Sequence, residues 1–232
     1  MSAVRDVVVA IPARNEEDLL STCLSSVRAA LATLVTLHPD VRTAVVVALD
    51  GCTDGSAEVA RRAGAHIVEL IGAGVGASRD AAAHHGLGCL GGPQDALTWL
   101  ACTDADTVVP PNWLVRQLIW ADSGMDMVLG TVEPVGVRDP AALAAWHSRH
   151  RLGEGHPYVH GANLGVRVST WRSVGGFGPR RAHEDVALAA RVRSSAVSWV
   201  ATDTTRAQTS GRLVGRAPSG FAEYLNALSS PQ

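Results

Sequence analysis

Two carboxylates one residue apart, Asp104 and Asp106, sit in "WLACTDADTVVPPNW", straight after an apolar run and just before two prolines. Acidic side chains beside a core are costly unless something satisfies them. If the chain stays extended through Ala105, the strand period of two points both carboxylates to one side. Paired oxygens on one face suit a hard divalent ion. Mg²⁺ takes one or two carboxylates and completes its shell from water and ligand phosphates, so a metal-bound diphosphate is the candidate occupant. A second acidic pair, Glu184 and Asp185 in "RRAHEDVALAARV", follows a turn and opens a helix. A helix dipole favours acids in its first turn in any case. A carboxylate facing a sugar-sized gap could also deprotonate an attacking hydroxyl. Arg180 and Arg181 are placed to keep it ionised or to pair with it.

These groups need a scaffold. Val7 to Ile11 is a β-branched run that stops at Pro12, as a buried parallel strand would. Asn15 is placed to cap a helix over about 16–37. "TAVVVALD" repeats the pattern and "GCTDGS" turns into a helix near 57–63. "AHIVEL" is a third strand, followed by a glycine-rich turn and an alanine-rich helix over about 77–85. "ALTWLACT" is a fourth strand that ends at the first acidic pair. Such alternation predicts a parallel sheet covered by helices. Further on, helices are expected over 113–121, 141–151, 184–194 and 221–228. Strands are expected over 127–132, 162–168 and 198–202. The polar, arginine-containing stretch 203–219 reads as mobile. The whole is one domain, 1–232, with two functional halves, the first to about 110 and the second to about 202, and a tail over 203–232. In an open parallel sheet, ligands bind beyond the carboxyl ends of the strands. Asn15 and Glu16, Asp50, the segment from Gly72 to Arg79, and Asp104 with Asp106 all fall at such ends.

Composition bounds the rest. The chain has 232 residues, 47% hydrophobic and 18% charged, with a net charge of −2. That balance argues against disorder and against a nucleic-acid-coating surface. Lysine is absent, which excludes any mechanism that needs one. The cysteines Cys23, Cys52, Cys89 and Cys102 form no CxxC pair, so neither zinc spacing nor a disulfide framework is expected, and a reducing cytoplasm is the natural setting. "DVVVAIP" is too short for a signal segment. No apolar stretch is expected to reach the roughly 20 residues of a membrane span, leaving peripheral membrane contact open. Trp113, Trp120 and Trp146 read as packing residues. His147 and His150, at i and i+3, read as surface or interface side chains.

The segments "VVVAIPARNEEDLLSTCLSSV", "VVVALDGCTDGS", "GVGASRDAA", "CTDADTVVPPNWL", "HGANLGVRVSTWRSVGGF" and "HEDVALAARV" together resemble family 2 glycosyltransferases of the GT-A fold, over roughly residues 6–195. The resemblance implies a nucleotide-diphospho-sugar donor, a bound Mg²⁺ or Mn²⁺, a hydroxyl acceptor, and transfer with inversion. Pro12, Ala13, Asn15 and Glu16 would then surround the nucleotide, with Gly76 and Arg79 contributing from the glycine turn. Asp50 would bind the base, Asp104 would sit near ribose and metal, and Asp106 would be the main metal ligand. Gly161, Ala162 and Asn163 would line the sugar and acceptor site, with Trp171 beside them. Asp185 would be the base, supported by Glu184. There are departures from the family pattern. Arg14 stands where many relatives have an aromatic residue. Leu49 precedes Asp50 in place of a second aspartate. Ser78, Arg79 and Asp80 replace a more usual "ARN". The QxxRW motif of polymer synthases is missing, and no histidine follows His183. Thr209, Ser210 or Arg212 is the expected substitute near the diphosphate.

Other readings make different demands. "DADT" fits the DxDx[TV] pattern of haloacid-dehalogenase phosphatases, but it follows the fourth strand and no lysine is present. Gly72, Gly74 and Ala77 fit GxGxxA, yet Asp95 precedes the next strand instead of ending it, against a dinucleotide enzyme. A non-catalytic sugar-nucleotide-binding protein is the remaining alternative.

Overall fold

Val7, Val8, Val9, Ala10 and Ile11 are wholly buried, as a central strand covered on both faces requires. They belong to β1 (Asp6–Ala13). The computed structural model describes residues 4–215 and 220–229. The first half continues with α1 (Glu17–Leu37), β2 (Arg42–Asp50), α2 (Ser56–Arg62), β3 (His66–Leu70), α3 (Val75–Cys89) and β4 (Thr98–Cys102). The second half comprises β5 (Thr107–Val108), α4 (Trp113–Asp122), β6 (Met127–Val135), α5 (Pro140–Arg149), β7 (Leu164–Arg167), α6 (Val168–Ser173), α7 (Glu184–Arg193), β8 (Trp199–Ser210) and α8 (Phe221–Ser229). All eight strands form one sheet in the order β3-β2-β1-β4-β7-β6-β8-β5. β3, β2, β1 and β4 pair in parallel, β7 runs antiparallel to β4 and β6, and β8 returns parallel to β6. The mostly parallel α/β sheet flanked by helices is the architecture expected.

Alternation along β1 divides the interior in two. Val7, Val9 and Ile11 join a core with α1 and α4, through Leu20, Leu24, Val27, Trp113 and Leu118. Val8 and Ala10 face the other way, toward α3, α6 and α7, with Ala82, Trp171, Phe177 and Leu188. A small third cluster, Trp146 with Leu225 and Leu228, joins α5 to α8. By length and composition alone α1 is apolar enough to cross a membrane, with a mean hydropathy of 1.5, contrary to the expectation that no stretch is. In the fold, its stripe Leu20, Leu24, Val27, Ala30 and Leu34 is buried against the sheet.

The largest departure concerns 203–219. Its first eight residues are the last eight of the twelve in β8, not a mobile tail. Thr205, Ala207 and Thr209 are buried while Arg206 and Gln208 face outward, the period of two of a half-buried strand. β8 pairs with β6 from Val132↔Ala207 to Val135↔Ser210 and with β5 at Thr107↔Thr209. The remainder of that stretch at 216–219 lies outside the described residues.

Candidate active site

β2 and β3 lie on one side of β1, and β4 lies on the other. The crevice beyond the carboxyl ends of strands at such a switch point is where ligands settle. A cavity of about 600 Å³ opens there. Pro12 and Ala13 line it from β1, Asp50 from the end of β2, Asp104 and Asp106 from the turn after β4, and Asp185 from the start of α7. Carboxylates far apart in sequence thus share one cleft.

The acidic loop turns where extension was expected. The Thr107 N–H donates to the Asp104 carbonyl over 3.1 Å. Both carboxylates still reach the cavity, from a turn and not from a strand face. Burial pushes the Asp106 carboxyl up to about 6; Asp104 and Glu16 add to that and Arg212 opposes it. Arg212 lies just past β8 and reaches back 196 positions in sequence. Its Nη1 donates to Glu16 Oε2 at 2.8 Å, and its Nη2 lies 3.0 Å from Asp106 Oδ2. Asp104, Asp106 and Glu16 are hard oxygen donors, three carboxylates faced by two guanidinium groups, Arg212 and Arg79. That donor set fits a divalent cation of the Mg²⁺ or Mn²⁺ kind. Thr209 and Ser210 line the same wall as Arg212.

A buried strut joins the acidic loop to α7. Arg79, on α3 and 2% exposed, donates from Nε to Glu184 Oε1 at 3.0 Å and from Nη2 to Asp104 Oδ1 at 2.7 Å. Burial works against its charge, but Asp104 and Glu184 outweigh that and hold the guanidinium ionised. Burial in turn raises the Glu184 carboxyl, against the pull of Arg79. Glu184 and Asp185 both line the cavity, but Glu184 is 3% exposed and held by Arg79, while Asp185 is held by backbone N–H groups. Asp185 Oδ2 accepts from the Gly161 N–H at 2.6 Å, and Oδ1 accepts from the Val186 N–H at 2.8 Å. These bonds fix the direction of the carboxylate. His183, immediately before α7, holds a left-handed φ of 57°, which sets the angle at which Glu184 and Asp185 enter.

Two glycines owe their place to this strut. A Cβ on Gly161 would come within 2.3 Å of Arg79 Nη2, and one on Gly76 within 2.3 Å of the Gly178 carbonyl oxygen. Gly161 lines the cavity together with Ala162. Gly76, expected beside a nucleotide, packs against the 178–180 turn, and its N–H donates to the Arg180 carbonyl at 3.1 Å.

Other expected residues are placed differently. Asp50 lines the cavity, but its two oxygens accept from the Ala73 and Gly74 N–H groups at 2.8 and 2.9 Å and so hold the loop after β3. Asn15 does not cap α1. It adopts φ 53°, and its Oδ1 accepts from the Thr53 N–H at 2.7 Å, tying the two loops together outside the cavity lining. Asn163 is interior: it accepts from Trp113 Nε1 and donates to the Thr131 and Thr205 carbonyls. Trp171, expected next to the sugar, is 1% exposed in the core beneath α3, where its Nε1 donates to Asp80. Neither side chain can contact a ligand in the cleft.

His160 lies on the far wall of the cavity, beside Phe221 and Tyr224 from α8. Its Nε2 is enclosed without a hydrogen-bond partner among the described residues. Burial, with His150 and His156 nearby, lowers it to about 4. The unfolded chain protonates this ring near 6.5, so between that pH and 4 it binds more protons than the folded chain does. Stability is therefore lost as pH falls through that window. The loss is up to about 3 kcal/mol. Replacing His160 with Gln is expected to flatten the acid limb of a Tm–pH profile between 6.5 and 4, and an unchanged limb would refute the assignment.

Residues 8–169 match the sequence model of the glycosyl transferase family 2. The chain belongs to glycosyl transferase family 2. A search of curated proteins finds no sequence match. Solved structures share the fold. Residues 1–349 of Staphylococcus aureus TarS superpose with a TM-score of 0.63 at 13% identity, covering 89% of this chain and 60% of that one. The mannosyltransferase PcManGT from Pyrobaculum calidifontis, in complex with GDP-Man and Mn²⁺, gives 0.63 at 17% identity, covering 98% and 69%. Glucosyl-3-phosphoglycerate synthase from Mycobacterium tuberculosis, with Mn²⁺, UDP and glucosyl-3-phosphoglycerate, gives 0.52 at 19% identity, covering 97% and 76%. The chain thus spans 37–60% of the length of the first TarS structures it resembles.

Sequence spacing places Arg212 near the site but shows neither its pairing with Asp106 and Glu16 nor the Arg79 strut, because both depend on tertiary approach. The alternation Thr205, Ala207, Thr209 was the available signal that β8 carries the chain to the cavity.

Proposed function

We propose that this family 2 chain is a metal-dependent, inverting, non-processive glycosyltransferase that moves a sugar from a nucleotide-diphosphate donor to an acceptor hydroxyl. The observation that carries the reading is the convergence of Asp50, Asp106 and Asp185 on one cavity at the sheet's switch point. Asp106 and Asp104, with Glu16 beside them, would hold the cation. When bound, a divalent ion supplies Lewis-acid stabilisation of a diphosphate leaving group. The chain's own groups do the rest. Pro12, Ala13 and the loop held by Asp50 form the wall for the nucleotide. Arg212, with Arg14 on the same lining, supplies positive charge for phosphate oxygens. Asp185, aimed by the Gly161 N–H, takes the proton of the acceptor hydroxyl as it attacks. Glu184 holds α7 through Arg79 instead of sharing that role.

The complexes of PcManGT with GDP-Man and Mn²⁺ and of the mycobacterial synthase with UDP and Mn²⁺ support this choice of ligand class. A thermal-shift panel of UDP-, GDP-, ADP- and dTDP-sugars with and without Mn²⁺ tests it. One donor should stabilise the protein clearly, and only with metal. Stabilisation by none of them, or equal stabilisation without metal, would sink the reading.

Asp185→Asn is expected to lower turnover about 10³-fold with donor binding within threefold of wild type, as read by steady-state kinetics alongside the same thermal shift. Turnover within tenfold of wild type would remove Asp185 from the role of base.

A further inference from the structure

His66, His85 and Cys89 lie outside the cavity. One ligand atom from each falls within 4.8 Å of the others. His66 opens β3, while His85 and Cys89 stand one turn apart near the end of α3 and so share a helix face. All three are exposed, and Cys89 is a free thiol. The two imidazole rings approach with centroids 6.1 Å apart and tilted by 53°. Among the described residues no hydrogen bond or ion pair occupies any of the three side chains.

We infer that His66, His85 and Cys89 form a second metal site, for a borderline transition-metal cation of which Zn²⁺ is the type, clamping edge strand β3 to α3. Two imidazoles and a thiolate are the ligands this class of ion prefers, and they are poor ligands for Mg²⁺. The carboxylate set of the cavity has the opposite preference, so the two sites select different ions. Tetrahedral zinc with bonds of about 2.0–2.3 Å needs ligand atoms roughly 3.3–3.8 Å apart. Rotation of exposed side chains closes that gap without backbone movement. Three protein ligands leave a fourth position open to water. Binding releases the thiol proton, since the thiolate is the ligand.

The clamp has a structural consequence. β3 is a five-residue edge strand whose only sheet neighbour among the described residues is β2. The segment that follows it carries Gly72 and Gly74 on the cavity wall, and α3 carries Arg79 in its second turn. An ion joining β3 to α3 ties the two elements that flank that wall. The cysteine spacing hid this site, because the ligands come from two elements and only one is a cysteine.

The test uses the reduced full-length protein titrated with Co²⁺ and followed by absorbance. One equivalent should bind with a thiolate-to-cobalt charge-transfer band, and Zn²⁺ should displace it. Zn²⁺ at about a hundredfold its Kd should raise the Tm by roughly 5–10 °C. Cys89→Ser should abolish the band, and His66→Ala and His85→Ala should each weaken binding at least tenfold. Asp106→Asn should leave band and stoichiometry unchanged, which separates this site from the one in the cavity. No band in the wild type, a band surviving Cys89→Ser, or a band lost in Asp106→Asn would each overturn the inference.

Discussion

Asp106→Asn is expected to lower turnover by about 10³-fold or more while raising the Tm of the metal-free protein. The two effects have one cause. Asp106 is partly buried beside Asp104 and Glu16, its side chain 14% exposed, and its carboxyl is held up to about 6 although Arg212 sits 3.0 Å away. At neutral pH the ionised form is therefore present at a cost. The shift from 3.8 to about 6 corresponds to an upper bound of about 3 kcal/mol. Asparagine keeps the size and removes the charge, so a gain of about 2 kcal/mol, roughly 4–8 °C, is expected with a chelator present. The folded carboxyl binds its proton more tightly than the unfolded one. Wild-type stability therefore falls as pH rises from about 4 to about 6 and stays low above that. The Asn variant lacks the fall, and the two proteins should converge below pH 4. Thermal melts at pH 4 and pH 7.5, beside kinetics at saturating Mn²⁺, measure both halves. Normal turnover, or a lower Tm at pH 7.5, would remove Asp106 from the centre of the site.

The legible part of this molecule was its rhythm. Apolar runs ending at Pro12, Asp50 and Asp104 are the near-continuous hydrophobic stretches that a buried parallel sheet imposes, and polar residues at strand ends mark the crevice before any coordinates exist. Legibility failed where a residue type serves two purposes. Asn163 and Trp171 have side chains suited to sugars, yet both satisfy interior donors and acceptors, a role that sequence spacing does not reveal. Asp50 reads as a base-binding group, and in the cavity lining its oxygens also hold the loop after β3, a tie that sequence does not reveal. Glu184 and Asp185 are adjacent and chemically alike. Helical geometry turns successive side chains by about 100°, so on the same cavity wall one meets the Arg79 guanidinium and the other the Gly161 N–H. The stretch after Thr202 reads as loose because it is polar and arginine-containing, with Gly211 and Gly215, but Arg206 and Gln208 occupy the outward positions of a strand whose inward ones are small.

Arg79→Met should destabilise the protein by about 3–5 kcal/mol, the largest loss expected from any single substitution here. The guanidinium is 2% exposed and joins Glu184, itself 3% exposed, to Asp104. Removing one partner of a buried pair strands the other's charge, which costs more than the pair contributes when whole. Glu184 would then protonate or recruit water, and α7 would lose its tie to the acidic loop. A second substitution separates this account from a simple loss of packing. Adding Glu184→Gln removes the stranded charge, so the double variant should recover a good part of the loss, with a coupling energy of about 1–3 kcal/mol in the cycle. Recovery should not extend to turnover, because neither Asp104 nor Asp185 regains its fixed orientation. Urea unfolding of the four proteins in the cycle, with activity assays on the same samples, reads both outcomes. Additive losses would mean that Arg79 acts by filling space, and a single variant within 1 kcal/mol of wild type would mean that the strut carries no load.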